Sequence, residues 1–278
     1  MLAGPRKFVL KADDRQWESL RYVLAELVPK LRRSVPLREQ VSRVEIERLA
    51  PYLKQLTSMG VLLRPCGGID TDADLRLYSF VARRSAEPDE VFGRVKNKRI
   101  EIEGNGRMPA ALADALSAQG LAVGERGGPE PALTVVVSHE DEAALGAANR
   151  RLCGRRRPWL PVLVTPRRVR LGPWTMPGES ACPRCLAPGS AGSGGAREQR
   201  AAQESWFTLQ PGFVAWAGGV VAHMALRAFV PFGAEHPWGR ITTIDAGTCE
   251  QTSLRAWRDP YCEVCAEHAP TAQEWVEV

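Results

Sequence analysis

Apolar residues in the first part of the chain recur at helical spacing. Trp17, Leu20, Val23, Leu24 and Leu27 fall on one face of a helix from about Asp14 to Val28, with Asp13 or Asp14 placed to cap it. A short polar helix around Pro36 to Val41 follows. A third helix, Glu45 to Ser58, carries Val44 just before it and Ile46, Leu49, Leu53 and Leu56 along it, and gives way at Gly60 to a strand, Val61-Leu62-Leu63. With a first strand at Lys7 to Lys11, this order predicts a winged-helix-like module over residues 1–68.

Residues 69–97 are charged, hold one expected helix from about Asp72 to Arg84, and read as connecting structure. From residue 98 to the end, short β-rich runs alternate with helical ones. These are Ile100 to Ile102, Pro109 to Gln119, Leu121 to Val123, Leu133 to Val137, Glu140 to Leu152 and Leu160 to Val164, and alternation of this kind predicts a parallel sheet in an α/β domain. Leu160 to Thr165 and Val169 to Gly172 read as a hairpin, and Ala187 to Gly195 as a mobile Gly/Ser/Ala-rich loop. Phe213 to Val230 is strongly apolar, but Gly218, Gly219, His223 and Arg227 interrupt it, which favours a buried helix over a membrane span.

The chain has 278 residues with a formal charge of +5, too small and dispersed to make nucleic acid the default partner, while an acidic peptide suits it equally well. No run reaches the roughly 18 uncharged apolar residues of a span, and the N-terminus has no signal-peptide core, so a cytoplasmic protein is expected. Cysteines there stay reduced, and Cys-x-x-Cys spacings then point to metal or redox chemistry before disulfides.

Two such pairs are present. Cys182-Pro-Arg-Cys185 and Cys262-Glu-Val-Cys265 can each offer two sulfurs to one ion from one turn, and together complete a closed tetrahedral zinc sphere that is structural, not catalytic. A thioredoxin-like redox site would need only one pair. Cys66, Cys153 and Cys249 stand alone and read as small apolar side chains. His139, His223, His236 and His268 show no ligand spacing, although His268 lies near enough to Cys265 to replace a thiol.

Gly104-Asn105-Gly106 follows a strand and opens a helix, the place of a nucleotide-binding turn. Pro109 occupies the third glycine position, and no acidic ribose ligand ends the next strand, where Gly124-Glu125-Arg126-Gly127-Gly128 runs on. The turn reads as an inherited feature with a vestigial nucleotide site. Arg155-Arg156-Arg157, with Arg150 and Arg151, is a solvated helix end or a docking surface for acidic side chains.

The stretch Leu171-Gly-Pro-Trp-Thr-Met-Pro-Gly-Glu-Ser-Ala-Cys182-Pro-Arg-Cys185-Leu186 and the closing Trp257-Arg-Asp-Pro260-Tyr-Cys262-Glu-Val-Cys265 resemble two blocks of the ThiF-like (Ocin-ThiF type) proteins that accompany YcaO enzymes in azoline-forming peptide biosynthesis. The resemblance covers about residues 98–267. It implies a Rossmann-type ThiF-like domain preceded by a module that holds a precursor's leader as an added strand. Phe8, Leu10, Leu49, Tyr52, Leu53 and Leu56 would line that groove, with the family's usual leading hairpin shortened. It also implies that ATP use belongs to a YcaO-type cyclodehydratase partner, and, by analogy, a homodimer.

Three functions compete at this stage. The first is a non-catalytic partner that binds the leader of a ribosomally made peptide, thiazole/oxazole-modified or thiopeptide-like, and presents it to that cyclodehydratase. The second is a ThiF-like adenylating enzyme acting on a peptide or small carboxylate. The third, a DNA-binding regulator, is disfavoured because Glu45, Glu47 and Pro51 stand in the third helix.

Overall fold

The structure, a computed structural model, describes residues 13–30, 35, 37–58, 66–85, 87–124, 130–186, 210–230 and 236–265. The expected strands at residues 7–11 and 61–63, Phe8, Leu10, residues 125–128, the loop at 187–195 and His268 lie outside the described residues. The chain divides into two compact units, Met1–Gly67 and Gly68–Val278.

In the first unit, Asp13 accepts from the Gln16 amide at 2.8 Å while the Gln16 side chain accepts from the Asp13 amide at 3.2 Å, a reciprocal cap. It opens helix α1, Asp14–Arg21, which continues as a π-helical stretch, Tyr22–Leu27, and a last turn, Val28–Lys30. Helix α2 is Leu37–Gln40, and α3, Arg43–Ser58, runs through Pro51. Val23, Leu27, Val41, Leu49, Leu53 and Leu56 form the core of this unit. Tyr22 donates its hydroxyl to Glu45, tying α1 to α3.

The second unit begins with two helices, α4, Asp72–Ala82, and α5, Pro88–Lys96. The stretch read as a connection is thus packed structure. The Tyr78 ring meets Phe92 edge-on at 5.4 Å, and its hydroxyl donates to Asp89 at 2.8 Å.

A seven-stranded sheet follows. Its strands are β1 Arg99–Glu103, β2 Ala122–Gly124, β3 Leu133–His139, β4 Trp159–Val164, β5 Arg168–Leu171, β6 Arg240–Asp245 and β7 Gln251–Arg255. They lie in the order β2-β1-β3-β4-β5-β6-β7, parallel from β2 to β4 and antiparallel beyond. Helix α6, Arg107–Ala118, links β1 to β2, and α7, Glu142–Gly154, links β3 to β4. The two crossovers run in opposite directions from the β1–β3 pair, so right-handed connections place α6 and α7 on opposite faces and make that pair the topological switch point. Strand β4 is buried at every position, as a parallel strand covered on both faces must be, and each buried Val or Leu contributes about 1.5–3 kcal/mol.

Helix α8, Pro211–Phe229, is long and apolar enough to cross a membrane by length and composition. Here it packs against α6, with Val214, Ala217, Val221, Ala222, Ala225 and Leu226 buried.

Candidate metal centre

Local hydrogen bonding carries each cysteine pair to its place. After β5 the chain turns at Gly172, whose φ is +100°; an added Cβ there would stand 2.3 Å from the Arg240 carbonyl, so only glycine fits. Trp174 then donates to the Arg240 carbonyl at 3.1 Å and accepts from Gly239 at 2.7 Å. The Ser180 hydroxyl bonds Met176 N and Trp174 O, closing the Pro-Gly turn ahead of Cys182. A 3₁₀ turn, Pro183–Cys185, presents the first pair. The second pair hangs on Asp259, which accepts from Cys262 N at 3.2 Å through its carbonyl and from Tyr261 N at 2.8 Å through its carboxylate.

The pairs, far apart in sequence, converge. Sγ separations are 3.8 Å for Cys182–Cys185, 3.7 Å for Cys182–Cys262 and 3.3 Å for Cys185–Cys265, and all four sulfurs lie within 4.8 Å of one another. All are free thiols, much too far apart for S–S bonds. A tetrahedral ion with bonds of about 2.3 Å would set sulfurs about 3.8 Å apart, which the Cys182–Cys185 and Cys182–Cys262 pairs match, with Cys185 and Cys265 standing closer. Cys182, Cys262 and Cys265 are buried and Cys185 is half-buried.

Electrostatics requires a cation for the thiolate form. The hydrogen bond with Cys153 pushes the Cys182 thiol up, that with Cys182 followed by burial raises Cys185, and burial followed by Cys185 raises Cys265. These three thiols stay protonated unless an ion replaces their protons.

A surrounding layer that the sequence reading missed supports the sulfurs. Asn149 of α7, 2% exposed, donates its amide to Cys182 Sγ at 3.4 Å and accepts from Cys153 Sγ at 3.2 Å. Arg258 donates to the Cys265 carbonyl at 3.3 Å, and Arg184 pairs with Glu263 at 2.7 Å across the two knuckles. A polar residue among Leu145, Ala148, Leu152 and Cys153 was the available signal.

The other sequence candidates are placed as follows. Leu49, Leu53 and Leu56 are buried in the core of the first unit, with Tyr52 half-buried against it. Gly104, Asn105 and Gly106 are exposed at the switch point between β1 and α6. Gly104 has φ +133°, and a Cβ would fall 2.6 Å from the Val137 carbonyl, so this glycine is needed for packing whatever binds there. Gly106 faces the His139 ring, and Glu103, just before the turn, pairs with Arg151 at 2.5 Å.

No family model matches the chain, and no curated protein matches it by sequence. Solved structures do match. The heterocyclase TruD aligns with a TM-score of 0.54 and 24% identity over 85% of this chain and 36% of its own. The chain shares its fold. A heterocyclase solved with substrate and cofactor gives a TM-score of 0.56 and 19% identity over 85% of this chain and 34% of that one. MccB of E. coli gives 0.59 and 12% over 85% and 84%. The chain therefore spans about a third of the length of the two heterocyclases and most of MccB, and at these identities the likeness is one of fold.

Proposed function

We propose that this chain is the peptide-capturing, non-adenylating partner in heterocycle formation on a ribosomally made precursor, and that it presents the precursor's leader to a YcaO-type, ATP-dependent cyclodehydratase. The observation that carries the reading is the fold shared with two heterocyclases over 85% of this chain. The four-thiol centre agrees with it. As zinc, it would be coordinatively saturated and would anchor Cys262–Cys265 to the α/β domain without offering a site for chemistry.

In this reading the first unit is a winged-helix-like module that pairs the leader as an extra strand with residues 7–11. Phe8 and Leu10 serve one side of the groove and Tyr52 the rim, with Leu49, Leu53 and Leu56 as the floor that sets α3 in place. The gain is effective concentration: a captured leader keeps the modifiable Cys, Ser or Thr residues near the cyclodehydratase. The Gly104-Asn105-Gly106 turn is then a fold feature. A homodimer and a cytoplasmic setting complete the proposal, with neither nucleic acid nor membrane as partner.

Reconstitution tests it. The chain, a YcaO-type enzyme and a precursor peptide should together yield loss of one water per ring formed, and omission of the chain should abolish or strongly slow it. Equal ring formation without the chain would contradict the proposal.

A second reading, an adenylating enzyme, draws on the match to MccB, which has been solved with ATP and with MccA and aligns over 90% of both chains. Pyrophosphate exchange by the chain alone would favour it.

A further inference from the structure

On the face of the sheet opposite the metal centre, a cleft of about 470 Å³ opens between α8 and the last two strands. The register fixes the face. Arg170 pairs across strands with Thr243 and reaches Glu142 of α7 at 2.9 Å, whereas the neighbouring Thr242 lines the cleft under α8. His223, Arg227, Arg240 and Trp216 line it, and among the described residues neither Asp nor Glu does. Burial first, then Arg227 and Arg84, lowers the pKa of His223, so the positive charge here comes from the arginines.

Two features leave this corner of the sheet incomplete. Arg240 stands directly opposite Arg255 in the β6–β7 ladder, and like charges in that relation repel. Neither has an acidic partner among the described residues. Second, β7 ends the sheet among the described residues, and all five of its residues are exposed. Its sequence, Gln-Thr-Ser-Leu-Arg, lacks the proline or the run of charge that usually protects an edge.

The ladder shows which groups the edge offers. Asp245 N bonds Glu250 O and Ala256 N bonds Gly239 O, so by antiparallel alternation Thr252 and Leu254 bond to β6. Gln251, Ser253 and Arg255 turn their N–H and C=O outward. The side chains of Gln251 and Ser253 also line the cleft. A strand added at this edge would therefore direct alternate side chains over the arginines.

We propose that this edge and cleft bind an extended acidic peptide segment, which pairs its backbone with β7 and places alternate carboxylates beside Arg240 and Arg255. Charge complementarity selects this occupant over a second copy of the chain, which would bring two cationic clefts together. The site is built wholly from residues of the second unit and does not rest on the leader reading.

The test uses the full chain and a fluorescein-labelled peptide, Thr-Glu-Val-Glu-Thr-Val, read by fluorescence polarisation. Saturable binding is expected, weakened about tenfold or more by Arg240→Glu, by lysine in place of the peptide's glutamates, and by N-methylation of alternate peptide amides. Ser253→Pro, which removes an outward N–H but no β6 ladder bond, should act likewise, and the N-methylated peptide leaves the protein's folding untouched. Tyr52→Glu should leave this binding unchanged. Absence of binding, binding indifferent to Arg240→Glu and to N-methylation, or sedimentation showing a dimer that Ser253→Pro dissociates would overturn the proposal.

Discussion

The side-chain amide of Asn149 points at Cys182 Sγ from 3.4 Å, and its carbonyl accepts from Cys153, so this one buried side chain fixes which sulfur lone pair is left for an ion. An N–H directed at a sulfur stabilises the thiolate and holds it in place. Asn149→Ala should lower metal affinity by about 10- to 100-fold while the protein still loads one ion at saturation. Competition with a chelator of known affinity measures this, and an unchanged affinity would remove Asn149 from the site.

Cys262→Ser should do more, because it breaks the sphere. Structural zinc adds its binding free energy to folding, so the variant should lose stoichiometric zinc, melt lower by on the order of 10 °C, and expose the segment around Cys262–Cys265 to proteolysis. Elemental analysis and limited proteolysis read both effects. A folded wild-type protein without zinc would refute the assignment.

The cysteine pairs were legible because two thiols three residues apart can share an ion whatever surrounds them. Their setting was not: Asn149 looks like part of the polar face of α7, and only the return of residues 172–186 past that helix buries it. Strand β7 was invisible because it is exposed on both faces and carries no alternation, and α5 because its charged sequence reads as linker despite Pro88 at its first turn. Helix α3 shows a limit of a different kind. An apolar face at Leu49, Leu53 and Leu56 announces burial, but spacing alone does not distinguish packing against α1 from lining a groove.

Gly104→Ala and Gly106→Ala should separate packing from ligand binding at the switch point. At Gly104 a methyl would collide with the Val137 carbonyl at 2.6 Å and the φ is unfavourable, so about 2–3 kcal/mol should be lost; at Gly106 the nearest atom is 3.5 Å away and only the backbone term, about 1 kcal/mol, remains. Denaturant unfolding without nucleotide compares the two. Equal losses would contradict the geometry.

Asp74 should tie stability to pH. It accepts from Thr71 N at 3.0 Å, Thr71 Oγ1 at 2.9 Å and Asp70 N at 3.1 Å, and pairs with Lys96 at 3.2 Å. Burial alone pulls its pKa upward, but these bonds, Thr71 first, outweigh burial and leave it below its usual value. A depressed folded value means that its contribution is present above the unfolded pKa, about 3.9, and is lost as pH falls through the folded one. Asp74→Asn should therefore cost about 1 kcal/mol at neutral pH and almost nothing at an acid pH below the folded value, where the acid is protonated. Urea unfolding at both pH values checks the sign, and a difference that persists in acid would contradict it.

The central claim is capture of a precursor peptide without adenylation. Its most direct test is a titration of the full chain with a fluorescent leader peptide, with ATP hydrolysis and pyrophosphate release followed in the same samples. The account predicts saturable binding, weakened by Tyr52→Glu, with no nucleotide turnover. Adenylate formation, or no leader binding at all, would contradict it.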